Sequence, residues 1–471
     1  MDVKKSLIIN NPWWNDGSVD LKFLLTRKRN EFFDIIEKLE EKRILSIIGP
    51  RRVGKSVLMY QVIDHLIKKK NVDPKRILFF SGDDPSLFFS KDDKLSDVIE
   101  TYFGDVLRES MSDLNEKVYV FIDEVHFIES WQNFLKVYFD RKYNIKFVVT
   151  GSSSVHLYKD ANESLMGRVE NINVLPLGFT QFLNFYQTYK SNKEDIQIPK
   201  FDLDNPEESF ESLEPFYYDE KLKFEVSKIL DDYILVGGYP EYFETNDISL
   251  WQRRLADDVI SRGIYKDIVS IYKIKSPDIL EKIMYYISAN NAQTFSYTEM
   301  SKVFSVDTAT LMSYIGYLKQ AFFINVIENY SSNMSKIIRT NKKMSILDNG
   351  IQNALLRRRN IDSSEEGHII EGIVDFDIRL ISERENYEDY YYRNTKQEEI
   401  DIILDRKTDL IPLEVKFVQN IDSKDSKNIK KFIEENKGKV IGKVNYGLVI
   451  TKDTYKKEGD IYYIPYWMFN V

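Results

Sequence analysis

A short run near the start of the chain combines two glycines, a lysine and a serine at a spacing that suits a triphosphate. The run is Gly49-Pro50-Arg51-Arg52-Val53-Gly54-Lys55-Ser56-Val57. It matches G-x-x-x-x-G-K-[ST], whose glycines allow tight turns that aim successive backbone N–H groups at phosphate oxygens. Lys55 would reach the outer phosphates, and the Ser56 hydroxyl would ligate Mg2+. We therefore expect ATP or ADP to bind here with Mg2+; the alternative is an accidental strand-to-helix turn.

Two adjacent carboxylates supply further groups that ATP hydrolysis needs. Asp123 and Glu124 end the apolar run 118–122, which is typical of a buried strand. Asp123 would reach the coordination shell of the metal, and Glu124 would act as the general base that polarises water. The alternative is that the acidic pair only caps a helix.

Three more residues are candidates for the same site. Thr150 and Ser152 end the next strand-like run, and the strand ends of a parallel sheet meet at one edge. Either hydroxyl would contact the γ-phosphate or the attacking water, unless it only caps a turn. Arg168 would neutralise transition-state charge, within the chain or across a subunit contact in a homo-oligomer. An ordinary surface arginine is the alternative.

A second set of charged residues lies near the C-terminus. Glu414 and Lys416 are two residues apart and project from one face of a strand, where Asp401 on a neighbouring strand would join them. Two carboxylates and a carbonyl, such as that of Val415, form an oxygen site for Mg2+. Lys416 would then position a metal-bound water for attack on a phosphodiester, and Glu371 is a further candidate ligand. A solvated Glu–Lys pair is the alternative.

The composition limits the classes of function. A chain of 471 residues with 43% hydrophobic residues is long and apolar enough for about two to four packed domains. The net charge of -9 excludes a globally basic nucleic-acid coat, and the lack of Cys excludes disulfides, thiolate metal sites and thiol catalysis. The sequence shows neither a signal-peptide pattern nor a long uncharged apolar run, so we expect a cytoplasmic protein without a membrane partner.

The periodicity predicts a parallel α/β sheet in the first third of the chain, because strand-like runs alternate with helical patterns. The predicted strands are 43–48, 76–80, 118–122 and 145–150, and the predicted helices are 55–69, 95–110 and 131–143. The polar stretch 191–214 is typical of a linker or insertion, and helical patterns resume at 221–233 and 249–265.

The rest of the chain predicts two further modules. Residues 277–345 predict a short helix from 296, a turn capped by Asp307, a helix at 308–320 and a small hairpin or wing. The predicted hairpin strands are 323–328 and 336–340. The last hundred residues predict a helix at 369–381, strands at 390–393, 399–404 and 411–417, a helix at 424–435 and a strand at 446–450.

The order of several strings resembles the prokaryotic AAA-type ATPases that are widespread in archaea. The strings are Phe121 to Trp131 with Asp123, Glu124 and His126, then Thr150-Gly151-Ser152-Ser153, Leu165-Met166-Gly167-Arg168, Pro176 to Leu183, and Gly237-Gly238-Tyr239-Pro240-Glu241. The resemblance implies an AAA-like core, a helical lid, a winged helix and a C-terminal nuclease-like domain. It also implies a site role for Arg168, whereas Gln181 stands where the family usually carries Glu.

The C-terminal residues are similar to the PD-(D/E)xK, or restriction-endonuclease-like, superfamily in two respects: the charged residues and the order helix, three strands, helix, strand. This likeness implies that Glu371, Asp401, Glu414 and Lys416 cleave phosphodiester with a metal. The expected fold class is therefore α/β, with a P-loop NTPase core, a helical lid, a winged helix and a restriction-endonuclease-like domain. The expected boundaries are 1–190, 191–272, 273–350 and 351–471.

Basic side chains are concentrated between 331 and 360, where Asp348 is the only acid. They are Lys336, Arg339, Lys342, Lys343, Arg357, Arg358 and Arg359. Such a cluster would contact DNA phosphates with weak sequence preference and strong salt dependence. The predicted recognition helix 308–320 offers few base-reading side chains, so a solvated basic face or a docking surface for acidic segments is the alternative.

The leading hypothesis is an Mg2+-dependent AAA-type ATPase whose nucleotide state controls a nuclease-like module on DNA. A nucleotide-gated switch or scaffold, whose C-terminal domain only binds DNA or protein, is the main alternative. An ATP-driven remodeller of proteins is a third hypothesis; it predicts stimulation of the ATPase by polypeptide and indifference to DNA.

Overall fold

The structure, a computed structural model, describes residues 3–24, 27–88, 95–151, 165–191, 193–245, 247–331, 337, 340–422, 424–439 and 442–470. They form two compact units. The first comprises Met1–Leu175 and Tyr265–Lys273, and the second comprises Pro176–Ile264 and Ile274–Val471. The predicted boundaries near 190 and 350 both lie inside the second unit, so the division into four modules stays a prediction.

A fully parallel five-stranded sheet forms the centre of the first unit and confirms the predicted α/β class. In chain order its strands are β1 (Ile44–Ile48), β2 (Ile77–Ser81), β3 (Val118–Asp123), β4 (Ile145–Gly151) and β5 (Val169–Asn173). Their order across the sheet is β2-β3-β4-β1-β5. Every residue of β1 and β3 is buried, as expected for strands covered on both faces. The edge strand β5 is not among the predicted strands.

The three helices predicted for the first unit begin at their predicted residues 55, 95 and 131. The helices of this unit are Val3–Asn10, Trp13–Asp16, Asn30–Lys38, Lys55–Lys68, Leu95–Thr101, Trp131–Asp140 and Val269–Tyr272. The helix Lys55–Lys68 follows the phosphate-loop glycines and buries Leu58, Val62 and Leu66 on one face. The helix that begins at Leu95 is shorter than predicted, because the α-helical hydrogen bonds end at Thr101 and wider π-type turns follow.

A nine-stranded mixed sheet runs through the second unit. Its strands are β6 (Gln293–Phe295), β7 (Ile324–Asn329), β8 (Lys342–Ile346), β9 (Glu388–Arg393), β10 (Glu399–Asp405), β11 (Leu410–Lys416), β12 (Gly447–Thr451), β13 (Lys456–Glu458) and β14 (Ile461–Pro465). Their order is β13-β14-β12-β11-β10-β9-β7-β8-β6. The parallel pairing of β7 with β9 therefore places the predicted winged-helix and nuclease-like modules on one continuous sheet.

The helices of the second unit include one within the predicted linker. They are Phe179–Tyr186, Pro206–Tyr217, Glu220–Val236, Ile248–Arg254, Pro277–Ala289, Tyr297–Phe304, Thr308–Gln320, Asn349–Leu356, Ser363–Glu385 and Lys427–Asn436. The helix Pro206–Tyr217 overlaps 191–214, the stretch expected to be a linker or insertion, and it is not among the predicted helices. Many of its residues are polar or charged, but it has a small apolar face, since Leu213 is buried and Phe210 stacks on Tyr455. None of the helices in the described ranges is long and apolar enough to cross a bilayer.

The predicted helical module is present, although its second hairpin strand is shifted. Ser296 and Asp307 cap the two predicted helices, each accepting a hydrogen bond from a backbone N–H of the first turn. The antiparallel partner of β7 is β8, and every residue of β8 is buried. It replaces the strand expected at 336–340, of which Lys336 and Arg339 lie outside the described residues.

The C-terminal elements follow the predicted order of helix, three strands, helix and strand. We call Ser363–Glu385 the long helix; β9, β10 and β11, the helix Lys427–Asn436 and β12 come after it. The long helix starts before the predicted residue 369 and packs against β8, β9, β10 and β11. The strands β13 and β14 are additions that the periodicity does not predict.

Packing accounts for the glycine pair near residue 237. Gly238 donates its N–H to Oδ2 of Asp348 at 2.7 Å, and a Cβ on Gly238 would lie 2.1 Å from the carbonyl oxygen of Leu177. Gly237 has a φ of 77°, which favours glycine. The pair is therefore a structural junction of the second unit.

Candidate functional site

The phosphate loop lies between the C-terminal end of β1 and the helix Lys55–Lys68. A Cβ on Gly49 would come within 2.0 Å of the carbonyl oxygen of Val174, so only glycine fits at the first position. Gly54 has a φ of 100° and caps the helix. The first N–H groups of that helix and its positive dipole end therefore face the loop, the arrangement that binds phosphate.

The lysine of the loop is held by the loop itself. Nζ of Lys55 donates to the carbonyl oxygens of Gly49 at 2.9 Å and Pro50 at 2.8 Å. Its side chain is buried, and burial lowers the pKa of Lys55 from its ordinary value. These contacts place the positive charge within the turn that the glycines form.

Three side chains join the loop to the ends of β3 and β4. The Ser56 hydroxyl donates to Oδ2 of Asp123 at 2.6 Å, and the buried Thr150 hydroxyl donates to Oδ1 of Asp123. The Thr150 oxygen also accepts the backbone N–H of Glu124 at 2.8 Å. Thr150 therefore positions the acidic pair in this structure, and its expected contact with the γ-phosphate or water stays a prediction. Ser152, its alternative, lies outside the described residues.

Glu124 occupies an unusual backbone position. Its φ of 46° and ψ of 46° lie in the left-handed region, where a non-glycine residue costs about 1–3 kcal/mol. Oε2 of Glu124 lies 3.3 Å from Nδ1 of His126. Burial raises the pKa of Glu124 to about 7, although Lys55 opposes that shift. A carboxylate with this pKa accepts a proton efficiently near neutral pH.

The oxygen atoms beside the phosphate loop suit a magnesium ion. The Ser56 hydroxyl and the Asp123 carboxylate are adjacent oxygen groups at the mouth of the phosphate loop, and oxygen is the ligand atom that Mg2+ prefers. Mg2+ usually takes its remaining ligands from phosphate and water, so two protein groups are sufficient. Ser56 and Asp123 are thus the groups that would hold it.

Two residues that the sequence did not single out brace the loop. Arg29 is buried and donates from Nη1 to the carbonyl of Val53 at 2.8 Å and from Nη2 to that of Leu175. Asp267 accepts two hydrogen bonds from Arg51 at 2.7 and 2.8 Å. Because the Arg51 guanidinium is paired in this way, we assign Arg51 to the nucleotide site through its backbone. No local motif predicts the contacts of Arg29 or Asp267, because the loop residues that they contact are distant from them in sequence.

The C-terminal charged residues also come together. Oδ2 of Asp401 on β10 accepts the N–H of Val415 at 2.8 Å, and Nζ of Lys416 donates to Oε1 of Glu414 at 2.6 Å. Burial is the main cause that raises the pKa of Asp401 to about 6 and that of Glu414 to about 8. Glu371, on the long helix, adds to both shifts and so belongs to the same cluster.

Two residues absent from the predicted site complete this cluster. Lys343, on β8, extends its ammonium to Oε1 of Glu371 at 2.7 Å and to the carbonyl oxygen of Asp401 at 3.2 Å. Asp375, one turn after Glu371 on the long helix, has Oδ1 3.4 Å from the same nitrogen. Its burial raises the pKa of Asp375 to about 8. We define the carboxylate cluster as Glu371, Asp375, Asp401 and Glu414.

As arranged, the carboxylate cluster does not fit a divalent metal ion. Glu371 faces Lys343, Oδ2 of Asp401 accepts the Val415 N–H, and Oε1 of Glu414 accepts Lys416. Oε2 of Glu414 and both carboxylate oxygens of Asp375 are buried without a hydrogen-bond partner among the described residues, but Oδ1 of Asp375 lies 3.4 Å from Nζ of Lys343, so the ammonium already faces both Asp375 and Glu371. Within the described ranges no three Asp, Glu or His side chains are placed to hold a metal.

Comparison with known families separates the chain into three matched stretches. Residues 41–183 match the family model described as AAA domain. The phosphate loop, Asp123, Glu124 and Thr150 all lie within this stretch. The first unit carries an AAA-type ATPase domain. Residues 227–362 match domain of unknown function DUF8612, and residues 366–469 match domain of unknown function DUF4143.

The relatives of known sequence and the solved structures share a quarter or less of their residues with this chain. An uncharacterized protein of Methanocaldococcus jannaschii is 25% identical over 451 residues, covering 93% of this chain and 90% of that protein. One of Haemophilus influenzae is 24% identical over 339 residues, covering 70% and 73%. Among solved structures, the Aeropyrum pernix ORC1 protein in complex with DNA is 12% identical, with a TM-score of 0.29 over 69% of this chain and 91% of that one.

The structure places Arg168 away from the phosphate loop of its own AAA-type domain. Its carbonyl accepts the N–H of Ile44, at the start of β1, whereas the loop follows the end of β1, about 13 Å further along. Its guanidinium is paired with Asp140 at 2.8 and 3.2 Å. This placement corrects the expected role within the chain, and a role across a subunit contact stays a prediction.

The predicted basic cluster is not a continuous exposed face. Lys342 and Lys343 are buried, and Arg358 is paired with Glu365 at 2.6 Å. Only Arg357 and Arg359 are exposed among the described members. The lysines were expected at the surface because charge usually lies there, but their strand, β8, is covered on both faces.

Proposed function

We propose that this protein is an Mg2+-dependent ATPase that acts on DNA, with its nucleotide state controlling the nuclease-like C-terminal domain. One observation carries the ATPase part of the proposal: Ser56, Asp123, Thr150 and Glu124 form one hydrogen-bonded network beside the phosphate loop. A loop that only turned the chain would need neither a strained, half-buried glutamate nor a hydroxyl paired with an aspartate.

Each group of residues in the AAA-type domain has a separate role in the proposed hydrolysis. The loop amides and Lys55 bind the phosphates. Ser56 and Asp123 would hold Mg2+, which when bound would supply positive charge against the transferred phosphoryl group. Glu124 takes the proton of the attacking water, and Thr150 fixes the direction of Glu124 through its backbone N–H.

Replacement of Glu124 tests this assignment. Glu124→Gln keeps the shape of the side chain and removes the base, so nucleotide affinity should persist while turnover is lost. Glu129→Gln is the matched control, because Glu129 is exposed and lies on the same connection after β3. Binding would be measured by calorimetry and turnover by phosphate release. Undiminished hydrolysis by Glu124→Gln would remove Glu124 from the mechanism.

For the C-terminal domain we propose a nuclease-like module that engages phosphodiester backbone. Its support is the order of elements from the long helix to β12, together with the adjacency of Asp401, Glu414 and Lys416. Exposed Arg357 and Arg359 are the candidate DNA phosphate contacts. ATPase rates titrated with branched, single-stranded and duplex DNA at low and high salt test this part. Rates that respond to none of these DNAs would contradict it.

A specific observation favours the second candidate, a nucleotide-gated switch whose C-terminal domain binds without cutting. Lys343 extends its ammonium into the carboxylate cluster that a metal-dependent nuclease would need free. Cleavage assays with Mg2+ on the same DNAs, for the wild type and Lys416→Ala, separate the candidates. Cleavage that Lys416→Ala abolishes would establish the nuclease, and the absence of cleavage favours the switch.

A further inference from the structure

We propose that the Lys343 ammonium is the resident cation of the carboxylate cluster and excludes divalent metal from it. The inference rests on the nuclease-like assignment of the C-terminal domain, and it is independent of ATP hydrolysis. The Lys343 ammonium would then occupy the position that a metal ion occupies in an active nuclease site.

The contacts of Lys343 are those of a cation enclosed by oxygens. Its Nζ lies 2.7 Å from Oε1 of Glu371, 3.2 Å from the carbonyl oxygen of Asp401 and 3.4 Å from Oδ1 of Asp375. Two carboxylates and a backbone carbonyl are also the ligand types of an Mg2+ site. An ammonium takes such ligands with its three N–H donors.

Lys343 belongs to a paired strand of the sheet and not to a surface loop. Lys343 pairs with Ile327 of β7 and Thr294 of β6, so its backbone lies in a central strand. Neighbouring strand residues point to opposite faces, and Lys342 accordingly contacts other groups, the Ile337 carbonyl and Glu328. The Lys343 side chain is 1% exposed. The backbone that carries the ammonium is therefore paired with a strand on each side, and the ammonium itself is buried.

Charge explains why the lysine and a metal exclude each other. Lys343 contacts two acidic residues of the cluster directly, Glu371 and Asp375, and Lys416 contacts a third, Glu414. A divalent ion bound to Glu371 would lie close to the ammonium, because Nζ is 2.7 Å from Oε1 of Glu371, and the repulsion between buried charges is weakly screened. Removing one partner from such a buried arrangement leaves uncompensated charge, which a divalent ion would neutralise.

The test is a titration of nucleotide-free full-length protein with Mn2+, followed by the electron paramagnetic resonance signal of free Mn2+. Wild type should show no site that Asp401→Asn removes. Lys343→Met has nearly the same side-chain length without the charge, and it should gain a Mn2+ site that Lys343→Met/Asp401→Asn loses. Lys342→Met is the matched control, since it removes the neighbouring buried lysine, and it should gain no site.

Each outcome decides the proposal. A wild-type Mn2+ site lost in Asp401→Asn, or a folded Lys343→Met that gains no site, overturns it. If Lys343→Met folds only with Mn2+, as followed by circular dichroism, the result supports the exchange of cations. If it folds under neither condition, the comparison of wild type with Asp401→Asn decides. Failure of the Glu124→Gln test would leave these results unchanged, so the two proposals fail separately.

Discussion

Arg51 in the phosphate loop and Asp267 form an ion pair with two hydrogen bonds, although 216 positions separate them in the chain. The pair is shielded, with 20% of the arginine side chain and 5% of the aspartate side chain exposed. Asp267 lies in Tyr265–Lys273, the segment of the first unit that is flanked in sequence by residues of the second. Rearrangement of the loop on nucleotide binding or release would therefore act directly on this segment.

The Arg51–Asp267 ion pair predicts that the phosphate loop and the segment Tyr265–Lys273 stabilise each other. Asp267→Asn should cost about 1–3 kcal/mol in the free energy of unfolding, because Arg51 loses its counter-charge in a shielded position. Urea denaturation of Asp267→Asn, Arg51→Ala and the double variant would measure the coupling. The exposed Asp257→Asn is the control. Additive effects in the double variant would contradict the coupling.

Thr150 predicts a loss of turnover without a matching loss of binding. Thr150→Val preserves the shape but removes both hydrogen bonds to the acidic pair. Loss of one hydrogen bond to a charged group costs about 1.5–3 kcal/mol, so kcat should fall by about tenfold to a hundredfold. Thr150→Ser should restore most of the rate. An unchanged kcat for Thr150→Val in a steady-state ATPase assay would refute the positioning role.

The raised pKa of Glu124 predicts acid sensitivity of ATP hydrolysis. The base must be ionised, and its pKa is about 7, so about a tenth of it is active at pH 6. The value of kcat/KM should therefore fall about tenfold per pH unit below 7 and level off above it. Circular dichroism at each pH controls for unfolding. A flat profile between pH 5.5 and 8 would exclude a base with this pKa.

The two loop glycines predict different penalties. Gly49→Ala places a Cβ 2.0 Å from the Val174 carbonyl, which is backbone and cannot rotate away, so it should destabilise the domain by about 3 kcal/mol or more. Gly54→Ala meets no atom within 4 Å and should cost only its left-handed φ, about 1–2 kcal/mol. Gly104→Ala, which also meets nothing within 4 Å, is the control. Equal penalties at Gly49 and Gly54 in thermal or urea denaturation would contradict the crowding at Gly49.

The sequence predicted four of the five strands of the first sheet, because their residues are apolar and buried on both faces. It missed β5, which carries Glu170, Asn171 and Asn173 at the sheet edge and so lacks a hydrophobic run. It missed the helix Pro206–Tyr217 for a similar reason, since few of its residues are buried. Elements with little apolar surface leave a weak pattern.

By itself, the sequence predicted the groups of consecutive residues that suit nucleotide chemistry. The proposed phosphate contacts come from the backbone of one loop, and Asp123 and Glu124 end one apolar strand, so local order was sufficient to predict them. The tertiary structure alone decided which distant charges meet: Arg51 with Asp267, Lys343 with Glu371, and Arg168 with Asp140. The physical reason is that charge has no periodicity along a chain, and its partner and its burial depend on strand order and register.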